Sequence, residues 1–315
     1  MSEPRISHLF AVLSLASIAL VWGGGFPATK YCLQQGLSVG ALLTIRFIIG
    51  AAGLGFFLLV FRIPFRRQAL LDGLWLGLVL ATLFWLQTDG LRFTTTSKSG
   101  FITGLYVVFT PMVALLVGDR LRLSHGLGAL VALTGLVLLV REPGAAFGGW
   151  NRGDSETLLA AVLCGFHIVM TAHFARRSSG WVLAFMQVAV TAVISLVITL
   201  NLPSPYGFQQ ATAALASPGP WVALLFMGLL ATTLAFYVQS TMQSRLGATE
   251  SAIIFSSEPV WTALLAISGW VPGIREHLTP TQFLGGGLIL SATLVAEMGP
   301  RLLRHLKAEP EEAIG

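Results

Sequence analysis

The stretch IFSSEPVWTALL (254–265) decides how this chain is read. It lies in an apolar run from Ala252 to Ile267 and places a carboxylate, Glu258, directly before a helix breaker, Pro259. Both are costly in a soluble core. Inside a membrane span an ionisable group is rare and calls for a cavity or a partner. Composition decides between the two settings. Of 315 residues, 55% are hydrophobic and only 10% charged, with a mean hydropathy of +0.78. Soluble domains carry about 25% charged residues, so this chain has too little polar surface to face water all round. Crossing a bilayer core takes roughly 20 apolar residues per helix. The sequence offers ten such stretches, near 8–30, 39–61, 70–90, 99–118, 124–141, 156–175, 181–200, 219–242, 250–269 and 280–298. The expected fold is an all-α integral membrane protein with ten transmembrane helices.

Short charged pieces such as RIPFRRQ (62–68), GDRLRLSH (118–125) and ARRSSG (175–180) separate the stretches. With the N-terminus in the cytoplasm, Arg62, Arg66, Arg67, Arg120, Arg122, Arg176, Arg177 and Arg245 fall on the inner side, with Arg5, Arg301, Arg304 and Lys307. Lys30, Arg92, Lys98, Arg141, Arg152 and Arg275 fall outside. This excess predicts cytoplasmic termini and an even number of spans. The pI of 9.7 then reports topology. No basic face interleaved with aromatics suggests a nucleic-acid partner. The first apolar run continues from Leu9 through Trp22 to Ala28 without a convincing cleavage site, so it reads as a retained span. Cys32 and Cys164 read as free, buried thiols.

The opening stretch has a counterpart. VVFTPMVALL (107–116) aligns with it on Pro111 and Pro259. Likewise LATLFWLQ (80–87) matches LATTLAFYVQ (230–239), GALVALTGLVLLV (128–140) matches GGGLILSATLV (285–295), and VWGGGFP (21–27) matches VLCGFHI (162–168). The matches imply a five-helix unit used twice, residues 1–145 and 146–300, followed by a cytoplasmic tail at 301–315. Five is odd, so the second unit must enter the membrane upside down. Inverted repeats place a binding site near the midplane, beside broken helices.

Several pieces resemble the drug/metabolite transporter superfamily, EamA family: VWGGGFPATKYCL (21–33), TIRF (44–47), TTTSKSGFITGLYVVFTPM (94–112), GATESAIIFSSEPVW (247–261) and REHLTPTQFLGGGLIL (275–290). The resemblance implies ten helices in two inverted EamA repeats and export or exchange of small metabolites at a bacterial inner membrane. The chain departs from the pattern where Gly118-Asp119 replaces Gly-Glu and where Glu276 lies much farther from Pro259 than Asp119 does from Pro111. The first span holds no acid, so the first-helix carboxylate of the related small multidrug exporters has no equivalent here.

Pro111 and Pro259 are the candidate kinks of two gating helices. Glu258, roughly 12 Å into its span, is either a proton-coupling or substrate-contacting acid or a structural carboxyl bonded to Ser256 or Ser257. Arg46 either pairs with Asp89 at the outer rim or meets an anionic group of the cargo. Trp22, Trp85, Gln87, Tyr106, His167, Tyr237, Gln239 and Trp261 complete the candidate cavity, an apolar pocket with a few fixed polar groups. GLSVG (36–40) matches a serine-hydrolase elbow, but it joins two membrane stretches, and no enzyme is expected. His167 and His173 do not share a helical face, so no metal is expected, and no phosphate-cradling or dinucleotide motif suggests a cofactor. The expectation is a secondary transporter for small amphiphilic metabolites such as amino acids, working by alternating access in the lipid bilayer, with protons as the candidate coupling ion. An exchanger of anionic metabolites of the sugar-phosphate or nucleotide-sugar type and a non-transporting sensor or scaffold remain open.

Overall fold

About four-fifths of the described residues are helical, and no strand occurs among them. The computed structural model describes residues 7–118, 123–140, 149–203, 206–209 and 211–292. The main helices are α1 (His8–Gln34), α2 (Val39–Val60), α3 (Arg67–Gly90), α4 in two halves (Thr96–Thr103 and Tyr106–Ala114), α5 (Leu123–Val140), α6 (Arg152–Phe174), α7 (Gly180–Asn201), α8 (Pro218–Leu246), α9 in two halves (Ala248–Phe255 and Glu258–Ser268) and α10 (280–292). Eight spans, α1 to α4 and α6 to α9, are long and apolar enough to cross a membrane. The apolar part of α5 is shorter, Leu130–Leu139, and the residues after 292 lie outside the described set, as do Asp119 and the tail 301–315. Outward-facing Phe56, Leu59, Val137, Val197, Leu200 and Leu264 are exposed, as lipid-facing residues should be.

Local chemistry sets the helix ends. Ser7 accepts from the Phe10 N–H to start α1, and Ser38 accepts from the Ala41 N–H to start α2. Ser38 is the serine of GLSVG; it also donates to the Tyr206 carbonyl at 3.2 Å, so its hydroxyl is committed to structure. At α6, Asn151 and Asp154 form a reciprocal capping box. Asn151→Ala removes the side-chain half of that box. The expected cost is about 1 kcal/mol, read as a lowered thermal midpoint of the purified protein. At the far end of α9, Gly269 takes a left-handed φ of 68° and stops the helix. Span 9 therefore ends at Ser268, and Glu276 lies beyond it, its N–H returning to the Ala266 carbonyl.

The packing is reciprocal between the halves. α1 lies on the second half of α9, and α6 lies on the second half of α4. Glycine makes both contacts close. A Cβ on Gly23 would stand 2.6 Å from the Trp261 Cβ and 3.1 Å from the Glu258 carbonyl oxygen. A Cβ on Gly165 would stand 3.0 Å from the Phe109 Cβ and from the Thr110 nitrogen. The two broken helices also meet directly. Gly100 and Gly104 on α4 present their missing side chains to Thr262 and Pro259 on α9, at 2.7 and 2.6 Å respectively. Small residues four apart let backbones approach this closely in lipid.

α8 departs from ideal geometry. Its middle, Phe226–Leu234, is π-helical, a widened form found often at functional sites. The Thr233 hydroxyl stands 3.1 Å from the carbonyl oxygens of both Gly50 and Gly228, which share its one proton, and so ties this stretch to α2.

Candidate functional site

The breaks in α4 and α9 open onto one cavity. In α9 the break falls at Ser256 and Ser257, and Pro259 takes the second position of the new helix, where its missing N–H costs no internal bond. Ser256 and Ser257 donate their hydroxyls to the carbonyls of Ile253 and Ile254, at 2.5 and 2.9 Å, adding to the backbone N–H bonds those carbonyls already accept at the break. The sequence reading offered these serines as partners of Glu258; they serve the backbone instead. Glu258 is the first residue after the break, where the helix dipole favours a carboxylate. Its side chain accepts from the Tyr106 hydroxyl at 3.4 Å. Tyr106 is itself the first residue after the break in α4. Pro111, by contrast, lies inside the second half of α4, seven residues after Gly104. The α4 break thus sits earlier than its proline, at the glycine that seats Pro259.

Seven candidate residues line the cavity: Trp22, Arg46, Gln87, Tyr106, His167, Gln239 and Glu258. Arg46 is only 4% exposed. Its Nε donates to the Thr232 hydroxyl at 3.1 Å, and its guanidinium carbon stands 4.6 Å from the Phe84 ring centre. The suggested pairing with Asp89 does not form. Asp89 is held by Arg92 and Arg152, each at 2.7 Å, with the Tyr206 hydroxyl at 3.3 Å. The π-helical part of α8 positions two cavity groups at once, since Thr232 holds Arg46 and the Ala231 carbonyl accepts from the Trp22 indole at 3.0 Å. His167 Nε2 contacts Gln187 Oε1 at 2.7 Å, and Gln187 donates onward to Ser240.

Three candidates stand elsewhere. Trp85 donates to Ser195 and contacts Tyr206; Tyr237 stacks on Trp181 with centroids 3.7 Å apart; Trp261 is 37% exposed beside Gly23. Their neighbours take the cavity positions instead. Phe84 and Phe236 line the wall and approach to 6.3 Å. Helical spacing could have found Phe84, because Leu80, Phe84, Gln87 and Leu91 share one face and Trp85 does not. Nothing in the sequence signalled Thr232.

A separate set of polar contacts gathers at one end of the bundle. Lys98 pairs with Asp154 at 2.7 Å, both buried, and donates to the Gly149 carbonyl. Asp154 also accepts from the Thr94 hydroxyl at 2.7 Å and the Asn151 N–H at 2.9 Å. Glu276 accepts from the N–H groups of Thr96 and Ser97, at 2.5 and 2.8 Å, and so caps α4. Lys30 donates to the carbonyls of Leu91 and Thr94. At the opposite end Asp72 is held by Arg177 and Ser178. The Asp72 carboxylate beside Arg177 holds that guanidinium's pKa above its ordinary value.

The chain matches the EamA-like transporter family twice, over residues 9–141 and 151–298. An uncharacterized transporter of Archaeoglobus fulgidus is 30% identical over 295 residues, covering 93% of this chain and 87% of the relative. An aromatic amino acid exporter, YddG, of Ancylobacter novellus is 26% identical over 216 residues, covering 66% of this chain and 70% of the relative. A solved crystal structure at 22% identity superposes with a TM-score of 0.66, covering 94% of this chain and 99% of the other, and shares the fold. Two matched repeats, apolar helices crossing at glycine contacts and a cavity between them lead to one conclusion: this is a multi-pass membrane protein of the EamA-like transporter family.

Proposed function

We propose that the protein is a secondary transporter of the inner membrane that carries small amphiphilic metabolites, amino acids among them, by alternating access. One observation carries the reading: the cavity at the two helix breaks is walled by both repeats, with Trp22, Arg46, Gln87 and Tyr106 from the first and His167, Gln239 and Glu258 from the second. A site shared in this way changes its access when one repeat moves against the other. The similarity to an aromatic amino acid exporter supports the cargo class, and the aromatic walls suit an apolar body. The same reading takes the repeats as inverted five-helix units meeting near residue 145, ten spans in all, with both termini cytoplasmic. Glu258 is the proposed site of proton exchange. The buried guanidinium of Arg46 favours a second reading, exchange of anionic metabolites.

Flux into proteoliposomes tests this. Labelled amino acids, nucleosides and organic acids are offered with and without a pH gradient. Saturable uptake of one class is expected, and Glu258→Gln is expected to lose the gradient-driven part at least tenfold while retaining gradient-free exchange only at cargo concentrations high enough to offset its weaker binding. A fully active Glu258→Gln protein would make that carboxyl structural. No saturable flux from folded protein would sink the transporter reading and leave a sensor.

A further inference from the structure

The cavity holds two ionisable groups of opposite sign, and neither answers the other. Arg46 is buried in an aromatic wall. Its one described side-chain hydrogen bond goes to a neutral hydroxyl, Thr232, and among the described residues no carboxylate comes within ion-pair distance of it. Glu258 lines the same cavity, 9% exposed, with only the long Tyr106 bond and no described cation within ion-pair distance. A third group points the same way. Gln239 is 2% exposed, lines the cavity, and its Oε1 has no hydrogen-bond partner. Buried polar atoms are nearly always paired in folded proteins, so an unpaired one in a cavity wall marks a place for a ligand donor. A buried guanidinium without a counter-charge is costlier still.

We propose that this cavity is built for a zwitterion with an apolar body, whose carboxylate sits on the Arg46 guanidinium and whose ammonium is received by Glu258 and the Gln239 carbonyl oxygen. The assignment rests on the transporter reading of the site and narrows it. A simple anion would neutralise Arg46 and bring no donor to Glu258 or Gln239. A simple cation would serve the acceptors and leave Arg46 bare. One molecule carrying both charges completes the cavity, and its body lies against Trp22, Phe84, Phe236 and Phe255. Two planar guanidinium N–H edges suit a carboxylate, which accepts both at once. The opposed poles also supply discrimination, because a site built to pair a group leaves its own groups unpaired when that group is missing.

The test uses calorimetric binding to the full-length purified protein in detergent, with flux in parallel. The probes are the proteinogenic amino acids, each beside its methyl ester, which lacks the carboxylate, and its N-acetyl form, which lacks the ammonium. At least one free amino acid is expected to bind at least tenfold tighter than both of its derivatives. Arg46→Gln is expected to close the gap between that amino acid and its ester, and Arg46→Lys to keep most of it. Glu258→Gln is expected to close the gap to the N-acetyl form. The wild-type ratios carry the test even if a variant fails to fold. Equal binding of either derivative, binding of N-acetyl forms alone, or no binding by any probe overturns the assignment. Saturable flux of an unrelated cargo alongside any of these results leaves the transporter standing and this pairing refuted; binding without flux fails the transporter reading instead.

Discussion

Lys98→Met is expected to destabilise the protein by about 3–5 kcal/mol, the usual cost of stripping one partner from a buried ion pair. The Asp154 side chain is 0% exposed, so its carboxylate would lose its counter-charge with no water to replace it. The loss spreads, because Asp154 also anchors Thr94 and closes the capping box of α6 with Asn151. Lys98 lies in the first turn of α4, so the substitution loosens the joint between α4 and α6 at the end where Glu276 caps α4. A large fall in thermal midpoint and a loss of folded protein on size-exclusion chromatography are the expected readouts. The double variant Lys98→Met/Asp154→Asn removes both charges and is expected to recover part of the loss. If it is no better than Lys98→Met, the pair contributes nothing as a pair.

Gly104→Val is expected to damage the crossing of the two broken helices. The first added atom would stand 2.6 Å from a Pro259 ring carbon, and a proline ring has little freedom to retreat. Overpacking of this kind costs about 1–3 kcal/mol. The functional cost is larger, because the displaced residues hold the Tyr106–Glu258 contact at the cavity. Flux is expected to fall at least tenfold, more steeply than folded yield. Gly287→Ala is the control, since nothing stands within 4 Å of the Cβ it would add. Equal effects of the two substitutions would remove the claim that α4 and α9 are locked by contact.

Much of the architecture was legible because a membrane imposes a coarse rule: apolar runs of the right length must be helices. Repeat matching went further. It paired Gln87 with Gln239, and both line the cavity. It also paired Trp85 with Tyr237, and both point away together. Comparison of the halves therefore found equivalent positions without telling which face of a helix looks inward. That depends on how α3 and α8 roll against α6 and α7, and tertiary packing sets the roll. The Arg46–Asp89 pairing failed for a related reason. The two residues looked close by depth, but Asp89 was already claimed by Arg92 and Arg152. Prolines misled in one half. Pro259 begins a helix beside its break, whereas the break in α4 lies at Gly104, chosen by what packs there.

The two copies of the repeat differ in length where the π-helical stretch of α8 lies. Between the leucine and the glutamine, LATTLAFYVQ is two residues longer than LATLFWLQ. In a regular helix two extra residues turn what lies on either side of them by about 200°, and the two leucines do face apart: Leu80 lines the cavity, whereas Leu230 is 43% exposed. Phe236 and Gln239 still enter the cavity as Phe84 and Gln87 do from α3, and the widened turns of Phe226–Leu234 just before them supply a carbonyl that accepts from Trp22 and a hydroxyl that accepts from Arg46. The two copies thus share their aim at the phenylalanine and the glutamine and part at the leucine, which one copy turns to the cavity and the other to the outer face.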